Sequence, residues 1–159
     1  MGLRVYWELL RKYDLKRCSK WYEEQPVRGE VRESADKRVQ IWWDRSIGTV
    51  KQNLHNRPDV VVLDMHQGKC WVVDFSVPFD GNVTWKEGKK RQDYAAVAGD
   101  LHRMYRVKVK IVPVVVGALG TVGKGVVQAM EELGIPDIVD GLQYTTLYGT
   151  AKILQKVLI

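Results

Sequence analysis

The stretch "DVVVLDMHQGKCWVVDFSV" (residues 59–77) constrains the fold more than any other part of the chain. Two β-branched runs, "DVVVLD" (59–64) and "KCWVVDFSV" (69–77), flank "MHQG", a turn signal, and together they predict a hairpin. Each run also carries an aspartate where a core strand should be apolar. In a hairpin closed by "MHQG", Asp59 and Asp74 converge on the same end of the sheet. Burying a carboxylate is costly unless something pairs with it. A hard cation between the two is one solution. The other is local: Asp59 caps a turn and Asp74 pairs with an arginine.

The surrounding pattern supplies the rest of a sheet and its cover. "LRVYWELLRKYDL" (3–15) places Leu3, Tyr6, Leu9, Leu10 and Tyr13 at helical spacing. Residues 24–36, with Pro26 and Gly29, read as a loop, and "RVQIWWD" (38–44) alternates like a strand. Residues 86–104 predict one helix with a basic first turn and an apolar face of Tyr94, Val97, Leu101 and Met104. "KVKIVPVVVGA" (108–118) is a β-branched strand, and two helices follow at about 124–133 and 142–158. The last carries Leu147, Ala151, Leu154 and Leu158 on one stripe. A strand–helix–strand step of this kind is a crossover, which makes the flanking strands parallel neighbours. The expected class is α/β (an α+β mixed sheet) with helices on both faces, and 159 residues suit one domain.

Composition narrows the function. Residues 1–57 carry 13 Lys/Arg against 8 Asp/Glu, and residues 86–110 carry 8 against 3. Residues 111–159 carry 3 against 4, so the net charge of +6 is concentrated in two segments that suit a polyanionic partner. A merely solvated surface is the alternative. Cys18 and Cys70, with His55, His66 and His102, show no zinc-ligand spacing, and two cysteines make no disulfide framework. Arg4, Glu8 and Arg11 interrupt any signal-peptide core, and "IVPVVVGALGTV" is too short to span a bilayer. An intracellular chain with no membrane partner is expected.

The Gly-rich "GALGTVGKG" (117–125) fails as a nucleotide loop. Ala118 stands where a Walker loop needs its first glycine, Gly125 where it needs Ser or Thr, and G-x-G-x-x-G is not matched. No nucleotide cofactor is expected. The acidic pair suits Mg²⁺, which takes one or two carboxylates plus water and phosphate oxygens. Lys89 and Lys90 lie one turn before Tyr94, just after the acidic strand, and a lysine there can stabilise charge developing on a phosphate. Taken alone, Lys90 reads more readily as a solvated first-turn residue.

The order helix, three strands, helix, strand with "PD", a later acid and a lysine resembles the PD-(D/E)xK nuclease superfamily. More closely, "WELLRKYDL…KWYEEQP", "RPDVVVLD", "VVDFSVP", "KEGKKRQDY", "VKVKIVPVVVGALGTV" and "GTAKILQKVL" resemble the restriction-like endonuclease region of non-LTR retrotransposon polyproteins. The resemblance runs from about residue 3 to 158. It implies a single restriction-like endonuclease domain over 1–159, with an αβββαβ core at about 3–118 and a C-terminal helical extension at about 123–158. It also implies a metal-dependent endonuclease that leaves a 3′-hydroxyl for target-primed reverse transcription. By the same resemblance, Asp59 and Asp74 hold Mg²⁺ (or Mn²⁺, with no zinc), Glu8 is a third acid, and Lys90 and Tyr94 complete the catalytic group. Arg57, Lys86, Lys89 and Arg91 would contact double-stranded DNA. The full element would add reverse transcriptase and zinc-knuckle regions, and the location would be nuclear. One departure stands out: Ser76 occupies the place of the usual lysine two residues after the second acid. A catalytically inactive DNA- or protein-binding remnant is the alternative this departure supports.

Overall fold

The structure, a computed structural model, describes residues 1–48 and 55–158. Lys51, one of the cations of the first basic segment, lies outside the described residues. Among them are five strands and five α-helices, in the order α1 (Gly2–Lys12), β1 (Val31–Glu33), β2 (Val39–Trp43), β3 (Val60–Asp64), β4 (Lys69–Ser76), α2 (Val83–Asp93), α3 (Ala95–Tyr105), β5 (Lys108–Val115), α4 (Lys124–Glu132) and α5 (Val139–Leu158).

The hairpin forms as the sequence predicts. β3 and β4 pair antiparallel with Val60 opposite Val73 and Asp64 opposite Lys69. Gly68 closes the turn at φ 65°, a left-handed conformation that glycine adopts without strain. Asp64 caps the same turn by accepting from the Gln67 backbone N–H at 3.1 Å and its side-chain amide at 2.6 Å. The sheet runs β1-β2-β3-β4-β5, antiparallel up to β4, while β4 and β5 are parallel. The crossover through α2 and α3 is therefore the expected one.

Alternation along β3 and β4 sorts the core into two layers. Val60, Val62, Trp71 and Val73 face Val5, Leu9 and Leu10 of α1, Met130 of α4 and Leu142 of α5. Val61, Leu63, Cys70 and Val72 face the other way, onto Val97 and Leu101 of α3. Covered on both sides, β3 is buried at every position, which is why its sequence shows no polar alternation. β5 is an edge strand, and Lys108, Lys110 and Pro113 are residues that discourage pairing with a further strand.

Three expectations differ from what forms. The polar stretch read as a loop contains the short edge strand β1, whose pairing is fixed by β2 (Val31 opposite Trp42) rather than by its own residues. The single helix expected over 86–104 is two helices that meet at Tyr94, where φ −98° and ψ 6° leave the helical region. α2 buries Val83 and carries Lys90 to Asp74, while α3 buries Val97 and Leu101 on the sheet face. Third, the stripe on α5 does not pack: residues 151–158 are exposed, and Leu142 and Thr146 are the buried positions of this helix.

Leu101 is fully buried at the centre of the second layer. Leu101→Ala should destabilise the protein by about 2–5 kcal/mol, read as a lowered urea midpoint with unchanged slope.

Candidate active site

Strand parity decides where the two acids point. Asp59 continues the Val61, Leu63 series and Asp74 the Cys70, Val72 series, so both belong to the face covered by α3. They meet just beyond the last register pair of the hairpin, and each accepts a backbone N–H across the strand gap. The Asp59 N–H donates to Asp74 Oδ1 at 3.1 Å, and the Phe75 N–H donates to Asp59 Oδ2 at 2.8 Å. Asp74 is only 4% exposed. Burial, followed by hydrogen bonding to Asp74 and its charge, pushes the Asp59 carboxyl well above the ordinary carboxylate range. The Phe75 N–H and the Lys90 ammonium oppose that shift.

α2 supplies the counter-charge. Val83, Glu87, Lys90 and Tyr94 fall on one side of this helix at three- and four-residue steps. Lys90 Nζ forms an ion pair with Asp74 Oδ2, and its side chain is 16% exposed. Asp74 therefore has the cationic partner that a local explanation requires, and it is a lysine instead of an arginine. The Tyr94 hydroxyl sits over the pair and donates to the Arg57 carbonyl at 3.4 Å. Burial and the two carboxylates raise its pKa, so Tyr94 stays protonated.

The remaining expected residues divide. Arg57 precedes Pro58-Asp59, and its guanidinium bonds Ser46 Oγ at 3.1 and 3.2 Å. Lys89 pairs with Asp93 at 3.4 Å, Lys86 lies 5.8 Å from the Trp85 ring, and Arg91 is exposed. Glu8 is not brought to the site. It lies in a groove between α1 and residues 134–138, and its ion-pair partner is Arg11 at 3.6 Å. Among the described residues no three His, Cys, Asp or Glu side chains gather as a metal cluster, and Glu8 lies on the flank of α1 with Arg11. The apolar face of α1 is committed to the core, and this turns Glu8 sideways along the sheet rather than toward its end.

Two side chains at the site were missed by sequence reasoning. Asp93 lies 3.7 Å from His55, and the His55 ring stands 6.1 Å from Tyr94. Their signal was the four-residue step from Lys89 to Asp93, which places that acid beside the lysines. The Gly-rich loop has a separate role. Asp80 accepts from the Leu119 and Thr121 N–H groups at 2.8 and 2.9 Å, and a Cβ on Gly117 would come within 2.6 Å of its carboxyl carbon. The loop wraps a carboxylate of its own chain.

Two abutting carboxylates with few other protein ligands fit a hard cation that keeps its water. Burial raises the Asp59 carboxyl most, and the neighbouring Asp74 adds to it, so a bound cation would offset both. No family model, curated protein or solved structure matches the chain. None of the described helices is long and apolar enough to cross a membrane.

The asymmetry of the pair sets a test. Because the folded state raises the Asp59 carboxyl, the fold binds a proton that the unfolded chain has already lost. Stability in metal-free buffer should therefore fall as pH rises above the ordinary carboxylate range. Asp59→Asn should remove that slope and raise the melting temperature at pH 8 by a few degrees. The same change at Asp74 has the opposite effect, because Asp74 is paired with Lys90. Asp74→Asn should lower the melting temperature, because it strands a largely buried ammonium.

Proposed function

We propose that the chain is a metal-dependent DNA endonuclease domain of the restriction-like type, similar to that of non-LTR retrotransposon polyproteins. The observation that carries this reading is the convergence of Asp59, Asp74 and Lys90 at one end of the sheet, fixed by a hairpin and a crossover helix. Asp59 and Asp74 would hold Mg²⁺, or Mn²⁺ in its place. The ion would supply Lewis-acid charge and a water of lowered pKa. Lys90 places its ammonium beside that position and, once released from Asp74, stabilises the charge that develops on a phosphate in the transition state. Tyr94 stays protonated and donates a hydrogen bond that fixes the end of α2 against the Arg57 segment. Lys86, Lys89 and Arg91 lie on the same helix, where they would contact the backbone of double-stranded DNA. Hydrolysis would leave a 3′-hydroxyl able to prime reverse transcription, in a nuclear setting beside reverse transcriptase and zinc-knuckle regions of the same polyprotein. A restriction-endonuclease-like core is part of the same proposal.

A second reading has one observation in its favour. Lys90 is closed onto Asp74, and Ser76 stands where a second lysine would be. A nuclease-derived DNA-binding domain without turnover would keep such a closed pair as structure. Plasmid nicking with Mg²⁺ or Mn²⁺, with and without chelator, separates the two. Metal-dependent nicking is expected, and no nicking with either ion contradicts the endonuclease reading. Asp74→Asn should abolish nicking. Lys90→Ala should slow it by about two orders of magnitude or more. Lys89→Ala should leave turnover close to wild type, since its ammonium pairs with Asp93.

Binding should be electrostatic. The lysines and arginine of α2 meet phosphates, which position a duplex without reading it. Affinity measured by fluorescence anisotropy should fall steeply with salt, and by a similar factor for unrelated sequences. A preference above about a hundredfold for one sequence would show that this domain reads bases itself.

A further inference from the structure

On the opposite face of the sheet from Asp59 and Asp74, α1 and the segment between α4 and α5 enclose a groove of about 340 Å³. Arg4, Glu8 and Arg11, at steps of four and three residues, form one wall with Lys12, and residues 134–138 form the other. Arg4 is the unusual member. Its Nε is buried without a hydrogen-bond partner, and among the described residues no carboxylate pairs with it. The chain nevertheless makes room for this guanidinium. The guanidinium lies against Gly141, where a Cβ would come within 2.4 Å of Arg4 Cζ, and the Trp21 ring lies 5.7 Å away. A buried Nε–H with no acceptor is an incomplete interaction, because buried polar groups are ordinarily hydrogen-bonded.

We propose that this groove binds a phosphate group, with Arg4 as its fixed donor and Arg11 and Lys12 as flanking cations. Three cations line the groove, and a tetrahedral oxyanion can accept from all of them where a planar carboxylate would engage one fork. The opposing charges are Glu8, already engaged by Arg11 at 3.6 Å, and Asp137, which is exposed at the rim. Lys12 also donates to the Leu133 carbonyl at 2.6 Å, which ties the far end of the groove to the last turn of α4. The phosphate could belong to a small phosphorylated molecule or to a nucleic-acid backbone.

The test follows the Arg4 Nε–H resonance, identified by its loss in Arg4→Met, while sodium phosphate is titrated against sodium chloride at equal ionic strength. Phosphate should move the resonance saturably and chloride should not. At ten times its Kd, phosphate should raise the wild-type melting temperature by about 4 °C and leave Arg4→Met unchanged. If Arg4→Met folds poorly, Arg11→Gln at an exposed position serves instead, and it should weaken phosphate about tenfold with the fold intact. A short DNA duplex that moves the same resonance, in competition with phosphate, identifies the backbone as the source. A response to phosphate alone identifies a small ligand. An unmoved Arg4 resonance, or equal stabilisation of wild type and Arg4→Met by phosphate, would overturn the proposal.

Discussion

Two carboxylates held against each other at the open end of the β3–β4 hairpin are the constraint on which the rest of the site depends. Asp59 and Asp74 do not approach by chance, since each receives a main-chain N–H from the neighbouring strand. The backbone that builds the sheet therefore also fixes the separation of the acids. Such an arrangement stores electrostatic repulsion unless a proton or a cation neutralises it. The fold uses both kinds of relief, a proton favoured on Asp59 and the Lys90 ammonium on Asp74.

α2 supplies the second relief. Lys90, one turn before Tyr94, reaches Asp74 from this helix, while the Tyr94 ring packs in the layer formed by Val97 and Leu101. Positioning of the lysine and stability of the second core layer are thus linked through one residue. On the other face, α1 is held by its apolar stripe, and its flank of Arg4, Glu8 and Arg11 is left to line a separate groove.

How much of this could be read from sequence follows from where the information lies. The hairpin and its acid pair were legible because an aspartate is conspicuous in a continuously apolar run buried on both faces, and Gly68 marks the turn. The parallel crossover was legible from element order alone. β1 was not, because a three-residue edge strand takes its pairing from β2 and leaves almost no local pattern. The Tyr94 break was hidden for the opposite reason: residues 86–104 are helical in pattern on both sides of it, and a single residue leaving the helical region has no sequence pattern of its own. Glu8 was misplaced because helical spacing says which residues share a face but not which face meets the site. Lys89 and Lys90 stood out by their place after the acidic strand, the resemblance chose Lys90 between them, and in the structure Lys90 pairs with Asp74 while Lys89 pairs with Asp93.

Whether the acid pair takes up the cation proposed for it can be measured by calorimetric titration of Mn²⁺ into the protein near neutral pH. Repeating the titration in buffers of different ionisation heat counts the protons released. A cation seated between the two acids must displace the proton favoured on Asp59, so binding should release up to one proton in the wild type. Asp59→Asn should release none, and Asp74→Asn should bind far more weakly. Binding without proton release, or binding that is indifferent to both substitutions, would place the metal elsewhere and contradict the account.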